Sequence, residues 1–231
     1  MRRDEGILVP LFCSALAVLA CSGAASADPQ RELSPAHATA SGRAGLAHAC
    51  LAAAAEAEAL LGLPRGLLAA VALAESAAHP FAIGSASRSR YAANREEALR
   101  LARAAGPGAS GGCFQINIGV HARRDLAWVF DPWASALFAG RMLARQAAAG
   151  PRAGAPDWGV AVARYSGAAA GSEAARRQRC RVAAGLAGLG HPPPRGLGTQ
   201  GCRPGELAAA RAKAVTVAAR ALGPEAIASL P

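Results

Sequence analysis

LLAAVALAES, residues Leu67–Ser76, is an apolar helical run that ends in one carboxylate, Glu75. Leu67, Val71 and Glu75 are spaced four residues apart, so they share one face of a helix and the carboxylate emerges at the edge of an apolar stripe. Burial there would raise the carboxyl pKa and let the group act as an acid near neutral pH. A simpler interpretation is a Glu exposed where its helix ends, because few single carboxylates are catalytic.

The rest of the chain also favours helices. Alanine is abundant, aromatic residues make up 4% of the sequence, and no run alternates as a strand would, so the fold class predicted is mainly α. Pro64 suits the first position of the helix that carries Glu75, and Asp131-Pro132 and Asp157 suit the starts of two later helices. The helix after Asp131 is apolar on most faces, which predicts a central, buried helix. Further helices are predicted over residues 43–61, 96–105 and 206–222.

The N-terminus predicts export. Arg2 and Arg3 precede an apolar segment, Ile7–Ala20, and small residues follow, so residues 1–27 are predicted to be a signal peptide cleaved after Ala27. Cys21 offers a second interpretation, a lipoprotein, which Leu19 fits less well. After cleavage we expect a periplasmic or secreted protein without an integral membrane span.

The remaining chain is divided by composition. Residues 28–44 are predicted to be a variable lead, 45–184 the main domain, and 185–231 a Gly- and Pro-rich basic extension with a terminal helix. Four cysteines remain after cleavage, which in an exported chain predicts up to two disulfides with three possible connectivities. Cys180 with Cys202 is the local choice, and Cys50 with Cys113 then follows. No CxxC pair or HExxH occurs, so neither a metal site nor a cofactor is predicted.

The net charge of +10 points to an anionic partner. Basic chains can bind nucleic acid, but an exported chain rarely meets it, so an anionic cell-envelope polymer is the partner expected and nucleic acid is not. An equally simple explanation of the charge is solubility or an Arg-rich composition.

A Gly-rich segment, Gly111–Asn117, supplies polar side chains that suit a sugar. Gln115 and Asn117 alternate with Ile116, which would point both amides to one side of an extended segment. Amides there can hold sugar hydroxyls and acetamido groups, and the glycines allow substrate to approach the backbone. Tyr165, at the end of a helix, has a hydroxyl that could orient a carboxylate. Each residue also has a structural explanation, as a turn former or a core aromatic.

Three motifs resemble those of the lytic transglycosylases with a lysozyme-like fold: Glu75-Ser76, Gly112–Asn117 and Tyr165–Gly167. Asn94–Ala98 and Phe130–Pro132 resemble the subgroup that serves type IV secretion and conjugation. The resemblance covers roughly residues 45–180. It implies a goose-type or soluble lytic transglycosylase-like fold, mainly α, with a small irregular or β-like lobe.

The resemblance also implies a function. Glu75 would be the general acid and then the base, Tyr165 would steady it, and Ser76, Gln115 and Asn117 would contact substrate. The reaction would cleave the MurNAc-β-1,4-GlcNAc bond of peptidoglycan and close a 1,6-anhydro ring, which opens the wall locally for a secretion or conjugation apparatus. Peptidoglycan strands and components of that apparatus are the expected partners.

This chain departs from the family pattern at three points. Ser166 stands where Asn is usual, Trp133 replaces a Cys, and Cys113 stands where an aliphatic residue is common, so Cys50 is expected to have changed its partner or to be free. Three other functions stay open. They are a hydrolytic muramidase, a non-catalytic peptidoglycan-binding secretion component, and a serine hydrolase suggested by the G-x-S-x-G match at Gly108–Gly112, which lacks the required preceding strand.

Overall fold

Helices dominate the structure, which confirms the mainly α class. The structure is a computed structural model, and it describes residues 42–85, 88–149, 155–169 and 171–223. The helices are α1 (Arg43–Leu61), α2 (Leu67–Ser76), α3 (Arg95–Ala105), α4 (Ile118–His121), α5 (Pro132–Ala148), α6 (Trp158–Tyr165), α7 (Glu173–Gly188) and α8 (Pro204–Leu222), with a 3-10 helix at Ala127–Phe130. The predicted signal segment, residues 1–27, and the lead up to residue 41 lie outside the described residues.

A small antiparallel sheet lies between the helices. Its strands are β1 (Ala82–Gly84), β2 (Ser89–Tyr91), β3 (Ser110–Gly111) and β4 (Ile116–Asn117), in the order β2-β1-β3-β4. β3 and β4 form a hairpin in which Gly111 faces Ile116. The turn of this hairpin is the Gly-rich segment singled out in the sequence.

The buried centre is α2, where the prediction had placed α5. Seven of the ten α2 residues are buried, and the helix packs against α1, α5, α7 and α8. Trp133 and Phe138 of α5 are only partly buried, whereas Leu143 of the same helix is fully buried. Most of the other buried residues of α5 are small, and at Gly140 the helix approaches α1 closely: a Cβ there would come within 2.7 Å of Leu61 Cδ1. Hydrophobicity on many faces therefore did not predict depth of burial.

Side-chain caps fix where most helices begin. Asp131 accepts from the Ala134 N–H at 2.7 Å, and Asp157 accepts from the Val160 N–H at 3.0 Å, as predicted. The predicted start of the Glu75 helix at Pro64 was wrong. That helix begins at Leu67, because Gly66 has a φ of 80° and a left-handed conformation that cannot belong to it.

Two disulfides join distant parts of the described chain. Cys50 on α1 pairs with Cys113 in the hairpin turn, and Cys180 on α7 pairs with Cys202 before α8. Both pairs match the connectivity preferred from the sequence. Disulfides indicate an oxidising, extracytoplasmic compartment.

The predicted domain boundary between residues 184 and 185 is corrected by the structure. It falls inside α7, which continues to Gly188. The terminal helix α8 packs along α7 and α1 and also touches α2. Ala214 and Ala218 of α8 are buried in this contact. The segment predicted to be an extension therefore completes the same core as α1 and α2.

One described helix is long and apolar enough to cross a membrane, by length and composition alone. It is Ala44–Leu61, which is α1. The same helix packs against α2, α5 and α8 inside the unit. Core helices of this length pass the same test.

Candidate functional site

Glu75 lies in the last turn of α2, half-buried, among side chains from two other helices. Gln178 of α7 donates from Nε2 to Glu75 Oε1 at 2.6 Å. Tyr165 of α6 is close enough for the charge of Glu75 to affect its hydroxyl. The position predicted from the sequence, at the edge of an apolar stripe, agrees with six buried apolar residues upstream in α2.

The environment of Glu75 favours its neutral form. Burial raises the pKa of this carboxyl to about 7, while the Arg181 charge and the Gln178 hydrogen bond act in the opposite direction. At neutral pH the group is therefore divided between an acid and a base. That is the condition in which one carboxyl can both give and take a proton efficiently.

Ser76 joins the end of α2 to the hairpin turn. Its hydroxyl donates to the Cys113 carbonyl at 2.7 Å and accepts from the His79 N–H at 3.0 Å. The side chain is buried, with 2% of the residue exposed. The predicted substrate contact therefore needs correction, because this hydroxyl is enclosed and committed to backbone partners.

Tyr165 also reaches the hairpin turn. Its hydroxyl donates to the Phe114 carbonyl at 2.7 Å. Burial, and next the negative charge of Glu75, raise the pKa of Tyr165 well above its usual value, so the phenol stays neutral. The sequence predicted that this hydroxyl would orient Glu75. In the structure its hydrogen bond goes to the backbone of the hairpin turn.

Gln115 lies in the turn, not in an extended strand, so the predicted alternation with Asn117 was wrong. Its φ of 49° is left-handed. Its amide bonds inward, accepting from Ser110 Oγ at 2.9 Å and donating to the Gly112 carbonyl at 3.1 Å and the Ala82 carbonyl at 3.3 Å. The Gln115 side chain therefore braces the sheet, since both ends of its amide are engaged.

Asn117 stands apart from Gln115, at the end of β4. Its residue is exposed, and its side-chain oxygen accepts from the Val120 N–H at 3.0 Å, which caps α4. Of the two amides predicted to hold sugar, this is the one at the surface.

The backbone around these residues is strained. Ala77 and Ala78, directly after the Glu75 helix, have φ values of 56° and 55°, and Gln115 shares this region. A left-handed conformation costs a residue with a Cβ about 1–2 kcal/mol. In the turn, Gly112 has a φ of 77°, and a Cβ there would lie 2.1 Å from the Val129 carbonyl oxygen. Strain and close approach therefore concentrate where the two motifs meet.

Sequence reasoning missed Gln178 and Arg181. Gln178 is 1% exposed, and Arg181 donates to its side-chain oxygen. A signal for Gln178 was present in the sequence: it stands three residues after Ala175, four before Val182 and eight before Leu186, within the buried stripe of α7. A polar residue on an apolar stripe needs a buried partner, and here that partner is Glu75.

Four acidic residues between α3 and α5 could in principle supply a second carboxylate, and three of them are engaged by backbone N–H groups. Glu97 accepts from the Ala93 N–H at 2.7 Å, and Asp125 accepts from the Ala127 N–H at 2.8 Å. Asp131 caps α5, and Glu96 is exposed. Within the described ranges, no three His, Cys, Asp or Glu side chains group as metal ligands would.

The G-x-S-x-G match does not form a nucleophile elbow. Ser110 is in β3, and its hydroxyl donates to Gln115 Oε1. A helix precedes this segment and a strand follows its turn, whereas the elbow needs a strand followed by a helix.

No protein family, curated protein or solved structure matches this chain significantly.

Proposed function

We propose that this protein is a lytic transglycosylase with a lysozyme-like fold, which cleaves the MurNAc-β-1,4-GlcNAc bond of peptidoglycan. The observation that carries the proposal is Glu75, a half-buried carboxyl with a pKa raised to about 7. Around it meet three segments that resemble the motifs of that family. The bonds from Ser76 to Cys113 and from Tyr165 to Phe114 support the proposal, because they join those segments in space.

In the proposed reaction Glu75 acts twice. As an acid it protonates the glycosidic oxygen of the leaving GlcNAc while the bond from that oxygen to muramoyl C1 breaks. As a carboxylate it then takes the proton from the muramoyl C6 hydroxyl, whose oxygen bonds to C1 and closes the 1,6-anhydro ring. The proton returns to Glu75, so acid and base roles balance in one group.

The attack of the sugar's own C6 hydroxyl explains why one catalytic carboxyl is enough. Most glycosidases use a pair of carboxylates, one of them to activate water or to attack the sugar. Here Glu97, Asp125 and Asp131 accept from backbone N–H groups, and Glu96 is exposed. The C6 hydroxyl of the substrate takes the place of water, so a second carboxylate is not needed. A hydrolytic muramidase is the competing reaction.

The other site residues take revised roles in this proposal. Asn117, which is exposed, is the amide that contacts substrate. Ser76, Gln115 and Tyr165 hold the turn that forms one wall of the site, through the hydrogen bonds described above. The enzyme would work outside the cytoplasm, opening the wall for a type IV secretion or conjugation apparatus.

Replacing the proposed acid tests the proposal. Glu75→Gln keeps the size of the side chain and its acceptor for Gln178 but carries no transferable proton. We expect it to release soluble muropeptides from purified peptidoglycan at least about a hundredfold more slowly than wild type, the usual contribution of a general acid.

The matched control is Glu96→Gln, which alters an exposed carboxylate of α3 and is expected to keep wild-type activity. Full activity in Glu75→Gln would remove Glu75 from the mechanism. A wild type that binds peptidoglycan but releases nothing would identify a non-catalytic binding protein instead.

A further inference from the structure

Gln178 lies between Glu75 and Arg181. It is almost fully enclosed in α7, and its amide is bonded at both ends. The NH2 group donates to Glu75 Oε1 at 2.6 Å, and the carbonyl oxygen accepts from the guanidinium of Arg181. Arg181 is exposed at the side of α7 that faces α8, where it lines a cavity with Lys213.

Arg181 fixes which way the amide points. A guanidinium only donates, so it requires the carbonyl oxygen of Gln178 to face it. The NH2 group must then face Glu75. If the amide were reversed, two donors would meet at Arg181 and an acceptor would face the carboxylate, leaving buried polar groups unpaired.

This orientation decides where Glu75 carries its proton. Oε1 points at an N–H donor and accepts from it whether the carboxyl is neutral or ionised. A neutral carboxyl has one proton, which is then held on Oε2. We propose that Gln178, oriented by Arg181, is a positioning residue that keeps Oε1 of Glu75 as an acceptor and leaves Oε2 to carry the transferable proton. This inference rests on the proposed function of Glu75.

Charged and ionisable side chains from several helices surround the α2 helix that carries Glu75. Arg181 on α7 favours the ionised form, and the neutral Tyr165 comes from α6. Lys213 of α8 lines the cavity that Arg181 shares with the end of α2. Glu58 of α1 is bonded at the opposite end of α2, and no charged side chain is buried in the described part of α5. Gln178 and Arg181 both lower the pKa of Glu75 against the effect of burial.

The test compares Gln178→Met, Arg181→Met and Arg181→Lys by two readouts. The first is the titration of Glu75, followed by NMR of side-chain carboxyl carbons and assigned with Glu75→Gln. The second is the pH profile of kcat on peptidoglycan. In Gln178→Met and Arg181→Met, the Glu75 titration and the alkaline limb of kcat should both move to higher pH, because a group that favours the ionised form is gone.

The variants are also expected to differ in kcat. Gln178→Met should lower kcat about tenfold at the optimum, since one hydrogen bond that orients the acid is lost. Arg181→Lys keeps a donor and a positive charge, so it should retain most of the wild-type activity. The control Arg177→Gln changes an exposed arginine on the same helix and should move neither readout.

Two outcomes would overturn the inference. One is a Glu75 titration unchanged in folded Gln178→Met; the other is an equal loss of kcat at all pH values with no shift in either limb. Should Gln178→Met fail to fold, Arg181→Met decides between the same two outcomes, because Arg181 is exposed and its replacement removes no apolar side chain from the core. The NMR titration needs no activity, so it decides this inference even for an inactive wild type, an outcome that would refute only the proposed function.

Discussion

The environment of Glu75 suits an acid, and it destabilises the folded protein when the carboxyl is ionised. Its pKa is raised from 4.5 to about 7 because the carboxylate form is poorly solvated at the end of α2. Below about pH 4.5 the group is neutral in both the folded and the unfolded chain. As the pH rises through 7 it becomes ionised in the folded chain too, and the folded state then bears the full cost of an enclosed charge.

Glu75→Gln is therefore expected to be more stable than wild type at alkaline pH. The shift corresponds to up to about 3 kcal/mol in the free energy of unfolding at pH 8, falling toward zero at pH 4. Denaturant unfolding of both proteins at the two pH values measures it. An equal difference at pH 4 and pH 8 would show that ionisation of Glu75 does not carry this cost.

Single residues show where sequence reasoning reached its limit. The apolar stripe predicted the position of Glu75, because helical spacing fixes which residues share a face. It could not predict the direction of Gln115, because a φ of 49° in a residue with a Cβ depends on the contacts around it. Gln178 was missed since its partner is 103 residues away in the chain.

At the scale of elements, α2 begins without a capping side chain of its own. Glu58 of α1 replaces it: its carboxylate accepts from the N–H groups of Gly66 and Leu68 at 2.6 Å and of Ala69 at 3.1 Å. The residue is 5% exposed. One buried carboxylate therefore fixes the start of the helix whose other end carries Glu75.

Glu58→Gln is expected to destabilise the protein by about 1–3 kcal/mol. An amide has one accepting oxygen where the carboxylate has two, so a buried N–H of α2 would face an NH2 group and lose its partner. Thermal or denaturant unfolding measures the change. Glu56→Gln, an exposed neighbour on the same helix, should stay within about 0.5 kcal/mol of wild type. Equal stabilities for the two variants would contradict the capping role of Glu58.

Helix positions were the most predictable elements. α1, the starts of α5 and α6, and the end of α8 follow from caps, prolines and apolar spacing, all of which are local. Depth of burial depends on the rest of the chain. α2 is central because four helices surround it, and its own ten residues do not show how many helices will pack against it.

For the whole molecule, the two disulfides and α8 convert separate segments into one unit. Cys50–Cys113 closes 63 residues and holds the hairpin turn against α1, while Cys180–Cys202 anchors the segment that leads to α8. The pairing followed from an even count and from proximity along the chain. The packing of α8 did not, because a Gly- and Pro-rich composition between helices predicts a linker whether or not the next helix returns to the core.

We propose that this molecule cleaves peptidoglycan by an intramolecular reaction of the sugar, with one carboxyl as acid and base. Mass spectrometry of the muropeptides that the wild type releases from purified peptidoglycan tests it most directly. We expect 1,6-anhydro-MurNAc ends, lighter than hydrolysed ends by one water and formed without uptake of labelled oxygen from H2(18)O. Reducing MurNAc ends that carry the label would contradict it.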